Sequence, residues 1–302
     1  MIKQVTTLIF SLTLILNQIN GQTFKEQFYS LLSESDTTGQ KELLVKWEKA
    51  NKNDAELFVA YFNYYVNKGR NEMITLGQDP KGEDVFVIMD QDTNVKEPAG
   101  YLYSDIYYDR ELINKGIEWI NKGIKKHPNR LDMRFGKVYI YEELDDYENF
   151  TKEIINTIKY SKKNKNRWTW SDNEPVEDGK EFMLGVIQDY VIQLYNTGNE
   201  ALFNNMKDIA ETVLDYYPDH IESLSNLAIV HILQGNYDEA LKPLLKAEKL
   251  NPKDYIVLNN IAHAYKLKGD TKNAIKYYEL MKQYGDEETQ QYAQEQIDEL
   301  NQ

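Results

Sequence analysis

Apolar residues recur along the last third of the chain with the spacing of helix faces. Between Glu222 and Leu233, the positions Leu224, Leu227, Ala228 and His231 follow i, i+3, i+4, i+7, one stripe of an α-helix packed on a neighbour. Gly235 then ends the helix, because glycine enters left-handed dihedrals without a Cβ clash, and Asn236 is placed to cap the next one. That second helix turns Ala240, Leu244 and Ala247 inward and stops at Asn251-Pro252. The plan repeats over 255–288 with Leu258, Ile261, Ala262, Tyr265, Gly269, Asp270, Ala274, Tyr278 and Met281. Ala228/Ala262, Gly235/Gly269, Ala240/Ala274 and Pro218/Pro252 share one offset of 34 residues (262−228 for the first). Pro243 falls inside the second helix, where it removes a backbone hydrogen bond and predicts a kink.

Degraded copies extend upstream. Segment 131–164 aligns without gaps, with Asp145-Asp146-Tyr147 where Gly235-Asn236-Tyr237 stands, and 184–220 carries Tyr190, Val191, Leu194, Gly198 and Pro218. A first helix over 55–69, with Phe58, Tyr61, Phe62 and Tyr65, meets its partner, Arg110 to Lys126, only after a long insertion. Residues 22–54 form an opening pair around Phe24, Phe28, Leu31, Leu44 and Trp47, and 289–302 forms a capping helix with a polar outer face. Within the insertion 70–109, the runs Val85 to Met89 and Tyr101 to Tyr108 flank a turn-rich segment, which predicts a small β-hairpin near 77–108. A second insertion, 165–183, holds Trp168-Thr169-Trp170 and then turn residues, and predicts a loop.

The small, bulky, small, proline pattern over 221–288 resembles the tetratricopeptide repeat family. The resemblance implies an all-α fold: a right-handed α-solenoid of stacked helix hairpins. In the family, first helices line a concave face that grips an extended peptide or a partner's helix. That face would here include Glu222, Ser225, Asn226 and Ile229 from one repeat and Ile256, Asn259, Asn260, His263 and Lys266 from the next. Asn226, Asn259, Asn260 and His263 are candidate partner-binding residues, since amides and imidazole can bond a peptide backbone without demanding a side chain. Relatives that clamp a chaperone's terminal carboxylates place lysine and arginine there; Glu222 and Ile256 occupy such places, which argues against that role.

Composition narrows the partners. The net charge of −14 opposes nucleic acid and anionic membrane surfaces, while 41% hydrophobic residues suffice for a packed core. Residues 1–21 read as an export signal: Lys3, a mostly apolar Val5 to Leu16 too short to span a bilayer, and a small-residue exit at Gly21. With no cysteine, the chain has no disulfide, no thiolate metal site and no lipidation site, so the expectation is an unanchored periplasmic or secreted protein beginning at Gln22.

Little chemistry is legible. The four histidines show no metal-ligand spacing, and Asp90 to Asn94 starts like a calcium loop but has Val95 where glycine is needed. There is no nucleophile elbow or phosphate loop, and 49 acidic residues guarantee fortuitous carboxylate pairs. The reading is therefore a non-enzymatic scaffold for a protein or peptide, without cofactor or metal. Trp168 and Trp170 offer an alternative, a glycan- or nutrient-handling site, against the plainer role of filling a gap between repeats. A hydrolase hidden in the insertions is the third reading.

Overall fold

Two kinds of turn, each repeated, build this molecule. The first closes a helix hairpin with one residue in the left-handed region. Ser35, Asp145, Gly235 and Gly269 take φ of 57°, 54°, 74° and 83°. In each case the next residue donates its N–H five positions back: Asp36 to Leu31, Asp146 to Tyr141, Asn236 to His231 and Asp270 to Tyr265, at 2.8–2.9 Å. That bond satisfies a carbonyl orphaned at the end of the helix. Asp36, Asp146 and Asp270 then cap the following helix, accepting from Gly39, Asn149 and Asn273. Asn236 holds the same place but makes no side-chain cap bond.

The second kind of turn joins one hairpin to the next. Asn51, His127, Tyr217 and Asn251 end their helices in extended or near-extended backbone, and each carbonyl accepts the N–H three residues on, from Asp54, Arg130, His220 and Asp254. Proline occupies the second position at 128, 218 and 252; Lys52 stands there in the first hairpin.

The computed structural model describes residues 22–78, 85–89 and 97–302. The expected export signal, 1–21, and the calcium-like stretch, 90–94, lie outside them. The described helices are α1 (Phe24–Ser33), α2 (Thr37–Ala50), α3 (Ala55–Gly69), α4 (Arg110–Lys126), α5 (Leu131–Glu143), α6 (Tyr147–Asn164), α7 (Gly179–Asn196), α8 (Phe203–Tyr216), α9 (Ile221–Leu233), α10 (Tyr237–Leu250), α11 (Tyr255–Lys268), α12 (Thr271–Tyr284) and α13 (Glu287–Leu300). The class is all-α, a solenoid of helix hairpins with one inserted sheet. None of these helices is long and apolar enough to cross a membrane.

Contacts divide the chain into two units. One contains the residues up to Met133 together with Ser171–Glu174; the other contains Arg134–Trp170 and Pro175–Gln302. In the first, α1, α2 and α3 close around Phe28, Leu44, Trp47, Leu57 and Ala60. Helix α4 lies against α3, and a Cβ at Gly123 would come within 2.8 Å of Phe58 Cβ, so glycine sets that close approach. Trp119 of α4 stacks on Tyr61 of α3 at 3.8 Å and 8°. In the second, Ala228, Ala240, Ala262 and Ala274 are all fully buried. These are the small positions of the 34-residue pattern, and they let α9, α10, α11 and α12 pack in sequence.

The insertions differ from expectation in detail. The insertion between α3 and α4 contains the expected hairpin, β2 (Val85–Met89) against β3 (Pro98–Tyr108), and adds a strand before it, β1 (Arg70–Gly77), making an antiparallel sheet in the order β1-β3-β2. Strand β1 leaves directly from α3 and begins with polar residues, which hid it from a hydrophobic pattern. The loop expected over 165–183 ends earlier, because α7 starts at Gly179. Helix α10 carries Pro243 in its interior, where the sequence placed it.

Candidate functional site

The first helices of successive hairpins in the second unit are neighbours: α9 contacts both α7 and α11. Equivalent side chains on them therefore form rows. Ile192 of α7, Ile229 of α9 and His263 of α11 share one row by the repeat offset, and Tyr139 of α5 occupies the same repeat position. Around them Ile192, Tyr195, Leu233, Ile256 and Leu267 keep 43–58% of their surface exposed. Single exposed hydrophobics are ordinary, whereas five on three neighbouring first helices form the most apolar part of this face. At Gly185, in the same row as Glu222 and Ile256, a Cβ would meet nothing within 4 Å, so the surface is open there.

The predicted polar residues divide. Asn226 is buried and exchanges hydrogen bonds with Gln188, donating through Nδ2 at 2.6 Å and accepting from Gln188 Nε2 at 3.4 Å. It joins α9 to α7 and is not open to a ligand. Asn259, Asn260 and His263 are half-buried on α11, and the Asn259 Oδ1 is buried without a protein partner. Burial pushes the His263 imidazole below its ordinary pKa, with Lys266 adding to the effect, so it is neutral at pH 7 and can donate or accept. Lys266 is engaged from α13, bonding Gln296 at 2.8 Å and Glu299 at 2.5 Å.

The two tryptophans are not a pair. Trp168 is 2% exposed, with Tyr160 at 5.8 Å and the Arg134 guanidinium 5.7 Å from its ring centroid. Trp170 keeps 37% of its surface and meets Phe182 edge-on at 5.3 Å. One ring fills the interior; the other offers a single exposed face.

A different polar cluster escaped the sequence reading. In the first unit Arg130, 1% exposed, grips Asp132 through Nε and Nη2 at 2.8 and 2.7 Å and reaches Glu56 at 2.6 Å. Burial works against its charge, but these carboxylates outweigh it and hold the guanidinium above its ordinary pKa. Glu56 Oε1 also accepts the N–H of Asp172 at 2.8 Å, and Lys25 bonds Ser171 and Asp172 at 2.6 Å each. Every charge has an opposite partner, which marks a fastening for Ser171–Asn173. Residues so far apart in sequence gave no pattern to read. Among the described residues no three His, Asp or Glu side chains converge on a metal position.

An open cleft of about 470 Å³ lies beside this helix face, where Lys180, Glu181, Tyr217, His220, Glu222 and Asp254 gather at the starts of α7, α9 and α11. His220 caps α9, its Nδ1 accepting from Ser223 N at 3.3 Å.

The tetratricopeptide repeat profile matches residues 209–247 and 255–280. No curated protein sequence matches the chain. Among solved structures, the chain is similar to the tetratricopeptide repeat domain of P58(IPK), at 14% identity and a TM-score of 0.31, covering 95% of this chain and 67% of that one. It is similar to YrrB, described as a TPR protein with an unusual peptide-binding site, at 12% and 0.39, covering 83% and 97%. A third is TTC0263 of Thermus thermophilus, at 12% and 0.37, covering 60% and 89%. At scores this low none of them bears on what this chain binds. The profile matches fall on the hairpins with the buried alanines and left-handed glycines, and over these residues the chain carries tetratricopeptide repeats.

Proposed function

We propose that this protein is an exported, non-enzymatic scaffold that holds an extended protein segment along the first-helix face of its second unit. The observation that carries the reading is the set of exposed apolar side chains on neighbouring first helices: Ile192 and Tyr195 on α7, Leu233 on α9, and Ile256 and Leu267 on α11. Apolar anchors with amides beside them suit a peptide whose alternate side chains are buried while its backbone is hydrogen-bonded. Export rests on residues 1–21. Helix α1 begins just after them with its own capping box, Thr23 accepting from Glu26 N while Thr23 N donates to Glu26 Oε2 at 2.6 Å. Glycan handling loses support because Trp168 is sealed in the interior.

A photo-reactive residue placed at Ile192 or Ile256 in living cells should cross-link a discrete partner, whereas one at Glu211 or Lys242 on the second helices should not. The cross-linked species should fractionate with the cell envelope or medium and begin at Gln22. Equal cross-linking from both helix faces overturns the site, and an intact Met1 in the cytosol overturns export.

A further inference from the structure

The inserted sheet has two unlike faces. Cross-strand register places Leu76 opposite Leu102 and Leu102 opposite Phe86, so these three form one row across the sheet. Ile74 and Ile88 lie on the same face by the strand period of two, as do Ile106, Ser104 and Glu72. The opposite face carries Tyr103, which is buried, beside Met73, Val87, Met89 and Tyr107, which keep 48–54% of their surface, so the first face is the more exposed of the two. The first face is open: Ile74 is 76% exposed, Phe86 72%, Leu76 66%, Ile106 42% and Ile88 40%. An antiparallel sheet in water ordinarily alternates apolar-in with polar-out. Here the outward positions are the apolar ones.

Its charge is as unusual as its polarity. The chain carries a net −14, yet the only ionic side chains among the described residues of this face are Glu72 and Arg70, one of each sign. That carboxylate accepts from Ser104 Oγ at 2.6 Å and lies 3.5 Å from Arg70. Two copies of so acidic a chain repel each other over most approaches, and an anionic membrane repels either. A neutral apolar face is where two copies can meet without that cost. The five exposed side chains present roughly 550 Å² per copy, about 1,100 Å² for a pair, just past the about 1,000 Å² expected of a specific interface. It also falls within the roughly 300–600 Å² that marks the largest, often functional, patch of a monomer.

We propose that the protein is a homodimer formed by this sheet packing face to face on the same sheet of a second copy, about a two-fold axis near Leu102. Such an isologous contact sets like residues against like, and stacked sheets interdigitate apolar rows about 10 Å apart. The contact is made by the first unit alone and is independent of what the second unit binds.

The native chain has no cysteine, so single cysteines report cleanly. Leu102→Cys should yield a covalent dimer with a short bismaleimide, while Val87→Cys, on the other face, should stay monomeric under the same treatment. In sedimentation velocity the unmodified chain should weigh twice the monomer at tens of micromolar. Ile74→Thr with Phe86→Thr, which keeps strand-forming residues, should shift the dissociation constant upward by at least tenfold and leave the helical melting temperature unchanged. A monomeric native chain at 100 micromolar, or equal cross-linking at 102 and 87, overturns the proposal. So does a native monomer that floats with phosphatidylcholine vesicles and loses flotation in the double variant, an outcome that assigns the face to a lipid surface.

Discussion

Trp168 and Trp170 stand two positions apart and would share a side in a regular strand, yet they end in opposite surroundings. The difference comes from the backbone: Thr169 makes only a single bridge, to Pro175, and Asp172 and Asn173 both take positive φ. A loop that reverses within a few residues cannot keep strand alternation. Trp168→Ala should therefore cost about 3–5 kcal/mol, the range for deleting a buried aromatic, and Trp170→Ala less than about 1. Urea denaturation measures both, and equal losses would refute the division. An aqueous quencher should reach Trp170 and spare Trp168. Sequence alone singled out both rings but could not rank them, because burial here depends on Arg134 and Tyr160, which sit 34 and 8 residues upstream of Trp168. Asn226 teaches the same point from the other side. Its position in the repeat was legible, whereas its consumption by Gln188 was not.

At the scale of elements, the hairpin turn is what makes one repeat readable and another obscure. Gly235 and Gly269 announce their turns; Ser35 and Asp145 perform the same turn without announcing it. A left-handed conformation costs an ordinary L-residue roughly 1–2 kcal/mol, less for aspartate, whose side chain bonds locally. Asp145→Gly should therefore raise stability by about 0.5–1 kcal/mol, even after losing the 3.2 Å contact from Tyr147 Oη. Gly235→Ala should lower it by a similar amount. If Asp145→Gly destabilises as much as Gly235→Ala, the two turns are not equivalent. The helices flanking the sheet were legible to the residue, since Arg110–Lys126 has a strong apolar stripe and a capping Asp109. Strand β1 was not, because Arg70, Asn71 and Glu72 read as the polar end of a helix.

For the whole molecule, protonation tests how the packing was assembled. His220, His231 and His263 all have pKa values below the ordinary 6.5, in each case chiefly because burial disfavours the charged ring. Glu222, 3.3 Å from His220, pulls the other way and is outweighed. A base whose folded pKa is depressed binds fewer protons folded than unfolded, so stability is intact above the unfolded pKa and declines as pH falls below about 6.5. The depressed carboxylates Asp270 and Asp286, which cap α12 and α13, act in a separate window below about 3.8. Glu142 works in the opposite sense: burial and then Glu143 raise its pKa, so its protonation favours the fold as pH approaches 4.5. The loss should therefore set in below about pH 6.5, with the urea midpoint lower at about pH 5.5 than at about 7.5. His220 is the informative position because its neutral Nδ1 accepts the Ser223 N–H at the start of α9. Protonation turns that acceptor into a donor and strips the cap. His220→Asn keeps a capping acceptor that cannot titrate. It should flatten the pH profile while preserving stability at pH 7.5. An unaltered slope in that variant would show that the cap is not coupled to the titration, and a native midpoint that rises toward pH 5.5 would show that the carboxylates govern the window instead.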